Sequence, residues 1–330
     1  MQTIPRILVT MGEAAGIGPE LLIKVAQLEF EAQLVVLADS IILSEVAARL
    51  GQSIQLESID WQDMPIKHQP GKLYYEQVEL VQPAITGRLN ANNSPAILAM
   101  LTRAGELASS KTVQAIVTAP VHKAILNQAD PSFLGHTEFF AEQANVEKVV
   151  MLLATNSLRI ALATTHIPLV QVSKTITHNL LKQTIDVIQR SFQKLELNAP
   201  KIAVCGINPH AGEDGLLGAE DQEVVTPTIL ELQQSGIEVS GPFPADSLFT
   251  RKNREIFDVF LAMYHDQGLP VVKAIGFGEC ANITLGLPYI RTSVDRGTAI
   301  DIADKFCASS SSLEYAINYA LQLAKGKLPR

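Results

Sequence analysis

The chain has 330 residues, 47% of them hydrophobic and 18% charged, with a formal net charge of −8. These values exclude a disordered or fibrous chain and argue against nucleic acid as a main partner, because phosphate binding needs a basic face. They fit a compact enzyme large enough for two lobes, with no membrane partner, since no apolar run is long enough to span a bilayer.

Taken in chain order, short β-branched runs alternate with longer segments of helical period. "RILVT" from Arg6 reads as a first strand, and "MGEAAGIGPE" then makes a tight turn into helix-like "LLIKVAQL", with Pro19 suited to the first helical turn. The glycines Gly12, Gly16 and Gly18 do not have the G-x-G-x-x-G spacing of a dinucleotide loop. Further strands are expected at "AQLVVLA", "QAIVTAP", "RIALATTH", "KIAVCGINPH" and "DVFLAMYH". Between them, "NLLKQTIDVIQRSFQKL" repeats apolar residues every three to four positions at Leu180, Leu181, Ile185, Ile188 and Phe192. "TPTILELQQSGIEVSGPFPADSLF" predicts a helix stopped at Gly236, a short strand and a loop; "ASSSS" from Ala308 predicts a loop before a final amphipathic helix. The alternation predicts an α/β fold of βαβ units with mostly parallel sheets. The opening "MQTIPRILVTMGE" lacks the basic start and cleavage site of a signal peptide, and Cys205, Cys280 and Cys307 sit apart without metal spacing. Both features point to a cytoplasmic protein with reduced thiols.

Three of the expected strands deliver a histidine at or just past the carboxyl end: His166, His210 and His265. In open α/β sheets ligands bind at that edge, so three imidazoles from separate strands can meet around a divalent cation. Asp266, next to His265, is a further ligand or an orienting carboxylate. The alternative is three unrelated loop histidines, and the order matches no established zinc signature. Lys123, Lys273, Arg291 and the "GHTE" turn at His136, Thr137 and Glu138 suit an anionic substrate carrying phosphate or carboxylate. His68 and His178 read as solvated.

Taken together, "TMGEAAGIGPE", "TAPVHK", "LGHTE", "TTHIPL", "CGINPHAGEDG", "GPFPADSLF", "YHDQGLP" and "RTSVDRGTAIDIADK" resemble the 4-hydroxythreonine-4-phosphate dehydrogenase family of vitamin B6 synthesis. The resemblance runs in order over nearly the whole chain. It implies two α/β/α lobes around a central cleft, like isocitrate and isopropylmalate dehydrogenases, with residues 1–130 plus 275–330 as a cofactor-side lobe and 131–274 as a metal and dimerisation lobe. It further implies a zinc, magnesium or cobalt ion on His166, His210 and His265, the last from the partner of a homodimer, so that the active site lies at the subunit interface. His136, Thr137, Lys273, Asn282 and Arg291 match the substrate contacts, Asp246 and Asp266 the supporting carboxylates, and Gly12, Gly297, Thr298 and Asp301 the positions expected to meet NAD or NADP. The implied substrate is a small phosphorylated hydroxy-amino acid.

The chain also departs from that pattern. Glu13 and Ala14 replace the usual "DP", Arg296 replaces a histidine, and Asp304 replaces a glycine. Asp301 favours NAD by repelling a 2′-phosphate, Arg296 favours NADP, and an Arg296–Asp304 pair would tie up the arginine. Two rival readings are a sister dehydrogenase of 4-phosphothreonate or 4-phosphoerythronate and a non-catalytic metal-binding protein on the same fold.

Overall fold

The structure is a computed structural model that describes residues 4–276 and 278–329. Its strands in chain order are β1 (Arg6–Thr10), β2 (Gln33–Ala38), β3 (Gln55–Ser58), β4 (Lys72–Gln77), β5 (Ala115–Thr118) and β6 (Val150–Ala154). They continue with β7 (Arg159–Leu162), β8 (Ile202–Cys205), β9 (Val239–Phe243), β10 (Val259–Ala262), β11 (Ala281–Leu285) and β12 (Ile290–Val294). The runs read as strands from sequence are strands, and β1, β2, β5, β7, β8 and β10 are buried along their whole length. Burial on both faces explains why they read as continuous β-branched stretches instead of alternating ones.

The chain divides into two compact units, Met1–Val146 with Leu287–Lys327, and Glu147–Gly286 with Leu328–Arg330. In the first unit the strands lie in the order β3-β4-β2-β1-β5-β12, and every pair is parallel. The helix Ser311–Ala324 packs on β12 and β5, burying Leu313, Ile317, Tyr319 and Leu321. In the second unit the order is β11-β6-β7-β10-β8-β9. Here β7, β10, β8 and β9 are parallel, whereas β6 pairs antiparallel with both β7 and β11. A tight turn closed by Thr155 N–H donating to Leu158 O at 2.8 Å makes β6 and β7 a hairpin. The core of this unit gathers Leu158, Ile160, Leu162, Cys205, Phe260 and Val272.

The helix His178–Lys194 buries Leu181, Ile185, Ile188 and Phe192 and is capped by Thr177, whose side chain accepts from Leu180 N–H. One histidine differs from expectation. His68 is 5% exposed, with Nε2 3.1 Å from Ala26 O, so it is a core residue satisfied by a carbonyl. His178 is half-exposed but paired, with Nδ1 2.8 Å from Thr228 Oγ1 and Nε2 2.7 Å from Glu231.

Candidate functional site

Within the second unit, β10 lies between β7 and β8, all parallel, so their carboxyl ends emerge at one edge. His166, His210 and His265 follow those three strands. The turns are laced together: Thr164 Oγ1–H donates to Met263 O at 2.7 Å, and Gln267 accepts from Met263 N–H at 2.7 Å while donating to Gly206 O at 2.8 Å. The His166 and His265 rings are brought to a centroid separation of 5.4 Å. His265 Nδ1 lies 2.6 Å from Asp266 Oδ1, a contact in which Nδ1–H donates to the carboxylate and which leaves Nε2 as the ring nitrogen turned to other partners.

His210 sits in a left-handed backbone run of its own. Among the described residues no group of three or more His, Cys, Asp and Glu side chains is close enough to hold a metal ion. One chain therefore assembles two imidazoles with an orienting carboxylate, a donor set suited to a divalent cation but short of three ligands. Lys273 is half-buried in the helix His265–Gly276. Asn282 stands on β11 opposite Leu153, and its Oδ1 is buried without a hydrogen-bond partner. Asp246 is exposed at the start of the short helix Ala245–Leu248.

The first unit holds the other group. His136 and Thr137 open the helix His136–Gln143. The His136 ring is partly accessible, but its Nε2 is enclosed and has no hydrogen-bond partner. Burial first, then the charges of Arg291 and Lys123, hold this imidazole well below the usual histidine range, so it is neutral at physiological pH. Arg291 is the second residue of β12 and only 2% exposed. It donates to Thr118 Oγ1 at 2.6 Å, and its guanidinium lies 5.8 Å from the centre of the Phe140 ring. Burial lowers its pKa to about 10, against the opposing pull of Tyr289 and Glu138, so it stays cationic at neutral pH. A neutral imidazole with an enclosed Nε2, under the charge of an arginine on a rigid strand, suits an oxyanion such as phosphate.

Sequence reasoning noted Glu13 only as a departure from the family pattern and passed over His122 and Tyr289. Glu13 is 3% exposed, and burial raises its carboxyl pKa against a hydrogen bond from Ala15 N–H and the charge of His122. Tyr289 stands edge-on to Phe140 with a buried, unpartnered hydroxyl, and burial pushes its pKa up to about 12. The available signal was the Asp-to-Glu departure at position 13 and the aromatic just before Arg291.

The expected cofactor positions also lie in the first unit. Gly12 has φ +74°, and a side chain there would sit 2.4 Å from Pro120 O, so backbone packing alone demands a glycine. Thr298 O accepts from Ile17 N–H at 3.1 Å, while Gly297 and Asp301 are exposed. No ion pair joins Arg296 to Asp304 among the described residues; Arg296 instead donates to Ser309 O at 3.2 Å.

Fold and geometry define an α/β protein with a buried arginine and a neutral histidine in one unit and imidazoles at the parallel strand ends of the other. The family model described as "Pyridoxal phosphate biosynthetic protein PdxA" matches residues 29–320, and the chain belongs to that family. It is similar to the 4-hydroxythreonine-4-phosphate dehydrogenase of Pseudoalteromonas translucida (strain TAC 125), 49% identical over 323 residues, covering 98% of each chain. It is equally similar to the enzyme of that name from Colwellia psychrerythraea (strain 34H / ATCC BAA-681), 49% identical over 325 residues, covering 98% of this chain and 99% of the other. A crystal structure of 4-hydroxythreonine-4-phosphate dehydrogenase from Klebsiella pneumoniae superposes with a TM-score of 0.88 at 36% identity, covering 97% of this chain and 99% of that one. No described helix is long and apolar enough to cross a membrane.

Proposed function

We propose that this chain oxidises 4-(phosphooxy)-L-threonine with NAD or NADP to 2-amino-3-oxo-4-(phosphooxy)butanoate, which loses CO2 to give 3-amino-2-oxopropyl phosphate, a step toward pyridoxine 5′-phosphate. The carrying observation is the likeness to dehydrogenases of that name at 49% identity along 98% of the chain. The chemistry of the two residue groups supports it.

In this reading Arg291, His136 and Thr137 hold the phosphate. The enclosed Nε2 of neutral His136 offers one hydrogen bond to a phosphate oxygen, and Arg291 supplies charge from a fixed position. Asn282 and Lys273 orient the amino-acid end, the unpartnered Asn282 Oδ1 being a ready acceptor for an ammonium group. His166, His210 and His265 hold a divalent cation (zinc, magnesium or cobalt), with Asp266 orienting His265 and Asp246 in support. When bound, the cation supplies Lewis acidity that eases proton loss from the substrate hydroxyl. Gly12, Gly297, Thr298 and Asp301 would hold the nicotinamide cofactor, which when bound would supply the hydride acceptor for the hydroxyl-bearing carbon. The first unit serves as the cofactor side and the second as the metal and dimerisation side.

We take the active species to be a homodimer whose metal site is completed across the interface, with His210 and His265 drawn from different copies; the 5.4 Å approach of the His166 and His265 rings supports a shared cation site. We place it in the cytoplasm, where thiols such as buried Cys205 and exposed Cys307 stay reduced. The test offers purified protein 4-(phosphooxy)-L-threonine or 4-phosphoerythronate with NAD and follows NADH. Turnover of the first supports the assignment. Turnover of the second alone shifts it to a sister dehydrogenase, and NADH from neither overturns it.

A further inference from the structure

The chain reaches His210 through costly backbone. From His210 to Asp214 all five residues lie in the left-handed region, with φ between 43° and 82°, and only Gly212 among them is a glycine. For other residues that conformation costs about 1–2 kcal/mol each, so the surrounding structure must impose it. The segment that enters this run is held by a carboxylate. Asp221 is 1% exposed; its Oδ1 accepts from Ile207 N–H at 2.8 Å, and its Oδ2 from Asn208 N–H at 3.1 Å and Asn208 Nδ2–H at 3.2 Å. Three donors leading into the left-handed run thus converge on one side chain. Gly206 admits it: a side chain there would lie 3.1 Å from Asp221 Oδ1 and 2.7 Å from Ala211 Cα.

The clamp continues outward. Asn208 Nδ2–H also donates to Glu220 Oε2 at 2.9 Å, and Glu220 Oε1 accepts from Ser173 Oγ–H at 2.8 Å, in the helix Leu169–Thr175 that follows His166. On the other side Gln267 ties Gly206 to the turn before His265. The loops that carry the three histidines are therefore linked in a ring of hydrogen bonds within one chain, and Asp221 anchors its most strained member.

We propose that Asp221 is a positioning residue for the metal site: its carboxylate holds the left-handed turn that presents His210 to the cation. This inference rests on the histidine site proposed above. Asparagine at 221 keeps the shape but replaces one acceptor oxygen with an N–H2 group facing backbone donors, so the turn loosens while the fold survives.

The experiment measures Zn2+ affinity by competition with a chromophoric chelator, and the visible spectrum of the Co2+-loaded dimer, for wild type, Asp221→Asn, His210→Ala and the double variant. Loss of an orienting partner should weaken metal binding by about 10–100-fold. We expect Asp221→Asn to lose affinity in that range with an altered Co2+ spectrum, and to cause no further loss in the His210→Ala background. A merely structural role would lower the melting temperature while leaving affinity per folded molecule at wild-type level, or would give the same loss with and without His210; either result overturns the proposal. Should Asp221→Asn fail to fold, Asn208→Ala removes one strand of the clamp and is expected to cost a smaller part of the same affinity; unchanged affinity there counts equally against it. The two readings fail differently. Unchanged Zn2+ affinity in His210→Ala defeats the metal site itself, whereas a loss there with none in Asp221→Asn defeats only the role of Asp221.

Discussion

Replacing Arg291 by lysine keeps the charge and removes the geometry. In the native chain the guanidinium is 2% exposed, donates to Thr118 Oγ1 at 2.6 Å and lies 5.8 Å from the Phe140 ring centre. A hydrogen bond to a charged group is worth about 1.5–3 kcal/mol, and a buried cation–ring contact about 2 kcal/mol at most. Lysine forfeits much of both in the free protein, which predicts a loss of about 2–3 kcal/mol in folding stability. The bound phosphate loses its bidentate partner as well. A further charge-assisted bond of about 1.5–3 kcal/mol corresponds to a fall of roughly 10–150-fold in kcat/KM. The assay is steady-state NADH formation with substrate and cofactor varied separately, alongside thermal unfolding. The loss should appear in the KM for the phosphorylated substrate and leave the KM for NAD within about twofold. A folded Arg291→Lys variant with wild-type kcat/KM would refute the phosphate-binding role of this strand position.

The buried titrating groups make opposite predictions. His136 has a lowered pKa, so as pH falls below about 6.5 the unfolded chain takes up a proton that the folded chain resists, and stability is lost. Wild type should therefore lose melting temperature on acidification more steeply than His136→Gln; parallel curves would contradict the assignment. Glu13 has a raised pKa, so the folded chain holds its proton more tightly and this group favours folding as pH falls. Glu13→Gln keeps the acceptor for Ala15 N–H and should be at least as stable as wild type at pH 7, checked by thermal melts at both pH values. For the cofactor, NAD should give the higher kcat/KM, with NADP accepted. Since Asp304 does not restrain Arg296, Arg296→His should reduce NADP use further, and a gain in NADP use would show that the arginine does not face the ribose.

Periodicity alone delivered the βαβ alternation, because strands buried on both faces leave unbroken β-branched runs such as "RIALATTH" and "KIAVCGINPH". The same logic missed β6 and β11, whose antiparallel pairing breaks the βαβ pattern, and also the parallel strands β3, β4 and β12. Histidines at strand ends were legible because parallel neighbours share one edge. The burial of Arg291 was not, since a charge in sequence looks solvated until Thr118 and Phe140 close around it. His68 failed for the mirror reason: its polar neighbours in sequence hide a carbonyl partner, Ala26, that only the fold supplies. The left-handed run at His210 was also invisible, because only Gly212 of its five residues is a glycine.

The central claim is a cation site completed by histidines from two copies of the chain, and subunit mixing tests it most directly. His210→Ala and His265→Ala should each be inactive alone. After exchange, every mixed dimer carries one site with all three imidazoles intact and one with two missing, so activity should return to roughly a quarter of wild type. No recovery, with mixed dimers demonstrated by mass, would mean that each chain builds its own site and that the account is wrong.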